Sequence, residues 1–162
     1  EEAGYGNMWG ERTELITSGA YYSQGDFTIH ATSARHIAFR RLENGTYITG
    51  EPMCFIIQIK DGPTCFFGGD TSLTYDMKLG GELFKPDVAF IGIGGADMKG
   101  RCLSELNAQT AAMCVEMLGV KKVIPMHYRL EEHLSDFKKY LVELCPECEV
   151  IAMKPLDIIE FE

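Results

Sequence analysis

Residues 88–93, Val-Ala-Phe-Ile-Gly-Ile, are apolar almost without a break, with Pro86-Asp87 before them and Gly94-Gly95 after. A run of that length predicts a strand buried on both faces, so other layers of structure must cover it. The neighbouring segments can do so. Residues 64–67 and 122–126 read as further strands, and a helix is predicted over about 73–84 despite Gly80-Gly81. A second helix is expected from a Ser104 cap to Leu118, where Gly119 ends it. A third follows the stripe Leu130, Leu134, Phe137, Leu141 and Leu144 and stops before Pro146. This alternation of strands and helices implies α/β layering, in which ligands gather beyond the strand ends.

The earlier half reads as strands and turns. Strands are predicted over 13–18 and 26–32, the second alternating Phe27, Ile29 and Ala31 against Thr28, His30 and Thr32. Residues 37–52 read as a loop turning at Glu43-Asn44-Gly45. Cys54–Ile59 and Thr64–Phe67 flank Lys60-Asp61-Gly62-Pro63, a hairpin signature. Short strands at Glu149–Met153 and Asp157–Phe161 close the chain. With no internal repeat or linker, the 162 residues are expected to form one domain.

A net charge of −9 disfavours sequence-independent nucleic-acid binding, leaving Arg35, Arg40 and Arg41 as charges on a rim or surface. No apolar stretch approaches the roughly 18 residues of a membrane span. The six cysteines include Cys54, Cys65 and Cys114 inside apolar segments, which predicts buried thiols in a reducing, cytoplasmic setting. Cys145-Pro146-Glu147-Cys148 has no second pair for a zinc site and closes a helix rather than opening one.

Three polar residues stand where predicted strands end: His36, Asp70 and His127. Imidazole suits zinc, iron and manganese, and a carboxylate can bridge two cations. Gly68-Gly69 removes side-chain bulk before Asp70, and Thr71 is placed to orient the carboxylate. Each residue alone also has a plainer reading, such as a turn in which Asp70 caps a helix. The remaining histidines are not expected as ligands: His30 alternates along its strand, and His133 lies beside a helix stripe.

The ordered series Ser33-Ala34-Arg35-His36, Phe67-Gly68-Gly69-Asp70-Thr71, Pro86-Asp87-Val88 to Gly94-Gly95, and Ile124-Pro125-Met126-His127-Tyr128 resembles the metallo-β-lactamase superfamily. The branch it is most similar to is that of metal-dependent hydrolases and ascorbate-phosphate lactonase-like proteins. The resemblance implies an α/β fold of the αββα sandwich type, with His36, Asp70 and His127 as metal ligands and Asp70 as the catalytic carboxylate between two ions. It further implies a divalent metal (zinc first, manganese or iron next) and a small-molecule lactone, ester or phosphodiester substrate. Arg40 and Tyr128 are then positioned to contact that substrate.

The sequence departs from the family in lacking its first motif, His-x-His-x-Asp-His. The chain is therefore expected to be the N-terminally truncated, C-terminal portion of such a fold. Its missing ligands would come from a missing N-terminal segment or another chain, and alone it should bind metal weakly or as a single ion. The alternative is a degenerate, non-catalytic binding or scaffold module of the same fold. A truncated sandwich leaves an apolar sheet face uncovered, so a homo-oligomer is expected.

Overall fold

A computed structural model of the chain describes residues 16–95 and 105–160. Its main sheet has seven strands: β1 (Tyr21–Gln24), β2 (Phe27–Ser33), β5 (Met53–Ile59), β6 (Thr64–Phe67), β7 (Val88–Gly92), β8 (Lys122–Met126) and β9 (Glu149–Val150), adjacent in that order. The first four are antiparallel, whereas β6 through β9 pair in parallel. Parallel neighbours need a crossover, and helices α1 (Asp76–Phe84), α2 (Ala108–Leu118) and α3 (Glu131–Leu144) supply one each. A separate ribbon pairs β3 (Phe39–Arg41) with β4 (Tyr47–Thr49).

The two sheet faces differ. Ile56, Phe66, Ala89 and Val123 are in register across β5–β8, and they share one buried cluster with Met77, Val115, Leu118, Phe137 and Leu141 from the helices. The opposite face carries Phe55, Phe67, Phe90 and Ile124 in register, with Phe27 on β2. There Phe27 and Phe67 remain 52% and 42% exposed. The described residues thus provide one helix layer and one sheet of the αββα arrangement, and a second large sheet is not among them.

Several boundaries move. Residues 16–18 are not a strand, and residues 13–15 of that prediction lie outside the described residues. The first strand is instead Tyr21–Gln24, whose Tyr-Tyr-Ser-Gln has no apolar alternation. The predicted loop at 37–52 contains the β3–β4 hairpin, although its turn is the expected one, with Asn44 Oδ1 accepting from Thr46 N at 3.0 Å. Helix α1 starts at Asp76 rather than about residue 73, with residues 71–74 outside any helix. Ser104 lies outside the described residues. The N-cap of α2 is Asn107, whose side chain accepts from Thr110 N while Thr110 Oγ1 accepts from Asn107 N, each at 3.0 Å. Near the C-terminus, among the described residues, only Glu149–Val150 forms a strand; residues 157–160 of the last predicted strand form none, and Phe161 lies outside the described residues.

Gly80-Gly81, weak in a helix taken alone, is explained by packing. A Cβ on Gly81 would lie 2.5 Å from the Leu118 carbonyl oxygen and 2.8 Å from its Cα, so glycine lets α1 approach the end of α2. His30 has the local partner expected of a strand residue: its Nε2 is 2.9 Å from Gln58 Oε1, and its ring lies 4.4 Å from that of Phe84. His133 is only half-exposed, and its Nδ1 is buried without a protein hydrogen-bond partner. Among the described residues, Cys54, Cys65, Cys114, Cys145 and Cys148 are free thiols, and no helix is long and apolar enough to cross a membrane. Burial pushes the Cys54 thiol up to about 12 and Cys148 up to about 11, which disfavours the reactive thiolate.

Candidate metal centre

Strands β2, β6, β7 and β8 run in one direction, so their C-terminal ends share a rim. His36 lies just beyond β2, Asp70 just beyond β6, and His127 directly after β8. The sheet thus gathers three residues that are far apart in sequence.

Backbone geometry at the strand ends brings them close. Gly68 N donates to the Phe90 carbonyl at 2.9 Å, which extends the β6–β7 pairing towards Asp70. Gly69 has φ +58°, a left-handed turn that glycine makes without Cβ strain. A Cβ on Gly92 would sit 3.3 Å from the Gly69 carbonyl oxygen, and one on Gly94 would lie 2.9 Å from Tyr128 Cα. Glycines therefore let these strand ends pack against the segment carrying His127. His127 itself has φ +51°, a conformation that costs energy in a non-glycine residue and is held by its surroundings.

Thr71 does something other than orient Asp70. It is 1% exposed, and its Oγ1 accepts from Arg35 N and donates to the Ser72 carbonyl, both at 2.9 Å. Ser72 N in turn donates to the Arg35 carbonyl at 2.9 Å. These bonds tie the segment beside His36 to the segment beside Asp70, because Thr71 adjoins one residue and bonds the neighbour of the other.

Hydrogen bonding also sets the ring tautomers. His36 Nδ1 lies 2.8 Å from the Ile37 carbonyl, which can only accept, so Nδ1 carries a proton. In the neutral ring, Nε2 is then the lone-pair nitrogen, and it lies 3.6 Å from Glu105 Oε1. His127 Nδ1 is 2.6 Å from Asp70 Oδ1, so it too donates and leaves Nε2 for another partner. His36, Asp70 and Glu105 each offer one ligand atom within 4.8 Å of the others. A neutral imidazole with two carboxylates is a donor set that suits zinc, manganese or iron. The residues present therefore fit a divalent cation.

All four side chains are reachable, with His36 and Glu105 27% exposed and His127 and Asp70 46% and 42% exposed. His36 also lines a cleft of 590 Å³ with Arg35, Ile37, Glu51, Pro52 and Ser72. Arg40 lies on the exposed β3–β4 ribbon, paired across from Ile48, and Tyr128 packs half-buried against the main hydrophobic cluster. The sequence reading missed Glu105. It follows no apolar run and belongs to no motif of the resemblance, and only the fold brings it beside His36.

A family model described as a β-lactamase superfamily domain matches residues 5–128. A UPF0173 metal-dependent hydrolase of Methanocorpusculum labreanum is 30% identical over 164 aligned positions, covering 99% of this chain and 71% of the relative. Similar relatives from Korarchaeum cryptofilum and Rubrobacter xylanophilus are 39% and 32% identical, covering 65% and 90% of this chain. The chain spans only 46% and 59% of those two relatives' lengths. Among solved structures, the metallo hydrolase Igni18 of Ignicoccus hospitalis superposes with a TM-score of 0.73 at 25% identity, over 96% of this chain and 64% of that one. YhfI of Bacillus subtilis, a metallo-β-lactamase fold protein, shares the fold with a TM-score of 0.64 at 15% identity, over 87% of this chain and 52% of its own. From the family match and these relatives, the chain belongs to the metallo-β-lactamase superfamily, in the UPF0173 family.

Proposed function

We propose that this chain carries part of the active site of a metal-dependent hydrolase acting on a small lactone, ester or phosphodiester. The observation that carries the reading is the convergence of His36, Asp70 and His127 on one rim, with Asp70 Oδ1 2.6 Å from His127 Nδ1. The names of the relatives support it. In this reading His36, Asp70 and His127 hold a divalent metal, zinc first and manganese or iron next. When bound, such an ion supplies Lewis acidity and brings the pKa of a water near 7.

The chain's own residues do the rest. Asp70 accepts a hydrogen bond from His127 Nδ1, which fixes that ring and leaves Nε2 as its lone-pair nitrogen. His36 is fixed in the same way by the Ile37 carbonyl. Thr71 holds the two ligand-bearing segments together, while Arg40 and Tyr128 contact the substrate from the rim. The chain is a single partial domain of a cytoplasmic protein, and the apolar face bearing Phe27 and Phe67 is covered by self-association or by sequence outside this chain.

The test is a hydrolysis screen of a γ-lactone, an aryl ester and an aryl phosphodiester with added zinc or manganese, comparing wild type with His36→Ala and Asp70→Ala. Turnover lost in both variants is expected. Metal binding without turnover of any substrate would instead favour the non-catalytic scaffold reading. Light scattering across a concentration series should show self-association, and a monomer at every concentration would refute self-association and leave sequence outside this chain as the cover.

A further inference from the structure

Glu105 is the one member of the close donor group that the family resemblance does not supply, yet it is held firmly in place. Gly95 N donates to the Leu106 carbonyl at 2.9 Å, and a Cβ on Gly95 would lie 2.8 Å from the Glu105 carbonyl oxygen. Two residues further on, the reciprocal Asn107–Thr110 cap fixes the start of α2. Glu105 is therefore clamped between the end of β7 and a capped helix, rather than carried on a free loop.

Its carboxylate faces His36: Nδ1 of that ring donates to the Ile37 carbonyl at 2.8 Å, and Nε2 lies 3.6 Å from Glu105 Oε1. Asp70 brings a second carboxylate within 4.8 Å of both. An imidazole and two carboxylates make a nitrogen and oxygen donor set that suits a divalent cation.

We propose that Glu105 is itself a metal ligand, closing a His36–Asp70–Glu105 set that lets this chain hold one divalent cation without the family's first motif. This rests on the metal-centre reading above. His127 adjoins the set through its 2.6 Å contact from Nδ1 to Asp70 Oδ1.

The test is titration of the 162-residue chain with zinc by calorimetry, alongside the visible absorption of its cobalt complex. Wild type is compared with Glu105→Gln, Glu105→Asp and Asp70→Asn. The expected result is one equivalent bound by wild type. Glu105→Gln should weaken binding by at least the roughly 10–100-fold that loss of a supporting partner costs, and it should alter the cobalt spectrum. Wild-type affinity in Glu105→Gln, with binding lost in Asp70→Asn, would overturn the role of Glu105 and leave the metal reading standing. No binding by wild type would overturn both. If Glu105→Gln fails to fold, Glu105→Asp decides: weakened binding with a shifted spectrum supports the proposal, and unchanged values overturn it.

Discussion

Replacing Thr71 with valine tests whether its buried hydroxyl holds the rim together. Valine keeps the shape and both branches at Cβ but removes one acceptor and one donor. The bonds from Arg35 N and to the Ser72 carbonyl, both 2.9 Å long and made by a side chain 1% exposed, are lost, together with the hydroxyl's contact with the Cys54 thiol. At about 1 kcal/mol net per neutral hydrogen bond, the cost is about 2 kcal/mol, rising towards 3 if the Arg35 N–H finds no water. Thr71→Ser keeps the hydroxyl and loses one buried methyl, for about 0.8 kcal/mol. Urea unfolding should therefore show a lower midpoint for valine than for serine with unchanged slope, and valine should lower Tm by about 4–8 °C. Because Arg35 adjoins His36 and Thr71 adjoins Asp70, zinc affinity should also fall about tenfold in the valine variant. A valine variant within about 0.5 kcal/mol of wild type, or more stable than the serine variant, would refute the reasoning.

Gly81→Ala should destabilise by about 1–3 kcal/mol, measured as thermal melting, because its Cβ meets the Leu118 backbone and not a movable side-chain tip. Asn107→Ala should cost about 1 kcal/mol in urea unfolding through loss of the α2 cap, whereas Asn107→Ser should recover most of it. Cys54 ionises near 12 in the folded chain, while its unfolded value is near 9. The unfolded state therefore loses this proton first as pH rises. The contribution is whole below pH 9 and is lost between 9 and 12 at up to about 1.4 kcal/mol per pH unit. Urea midpoints at pH 8 and 10.5 should show this fall, and it should be shallower in Cys54→Ala.

What could be read in advance was whatever local chemistry decides. The apolar runs of β5 to β8 and the leucine stripe of α3 announced themselves, because a strand or helix face that meets a core must be apolar at the matching period. Elements held by pairing rather than by burial did not. Strand β1 is largely exposed, and Phe39-Arg40-Arg41 is exposed along its length, so neither left a hydrophobic signature. The reversal at Asn44-Gly45 was legible because positive φ is written into glycine, while the strands it joins were not. Gly80-Gly81 read as a weakness until the approach of α2 explained it. At the site, the order of His36, Asp70 and His127 was visible through resemblance, since each follows an apolar strand. Glu105 has no such marker, and only the return of the chain past Gly95 brings it beside His36.

The central claim is that this rim holds a metal, and metal content per chain tests it most directly. Protein purified without chelators should carry about one equivalent of zinc, manganese or iron by elemental analysis, the number a single closed donor set binds. Asp70→Ala should carry almost none. Equal metal in both proteins, or none in wild type, would contradict the account.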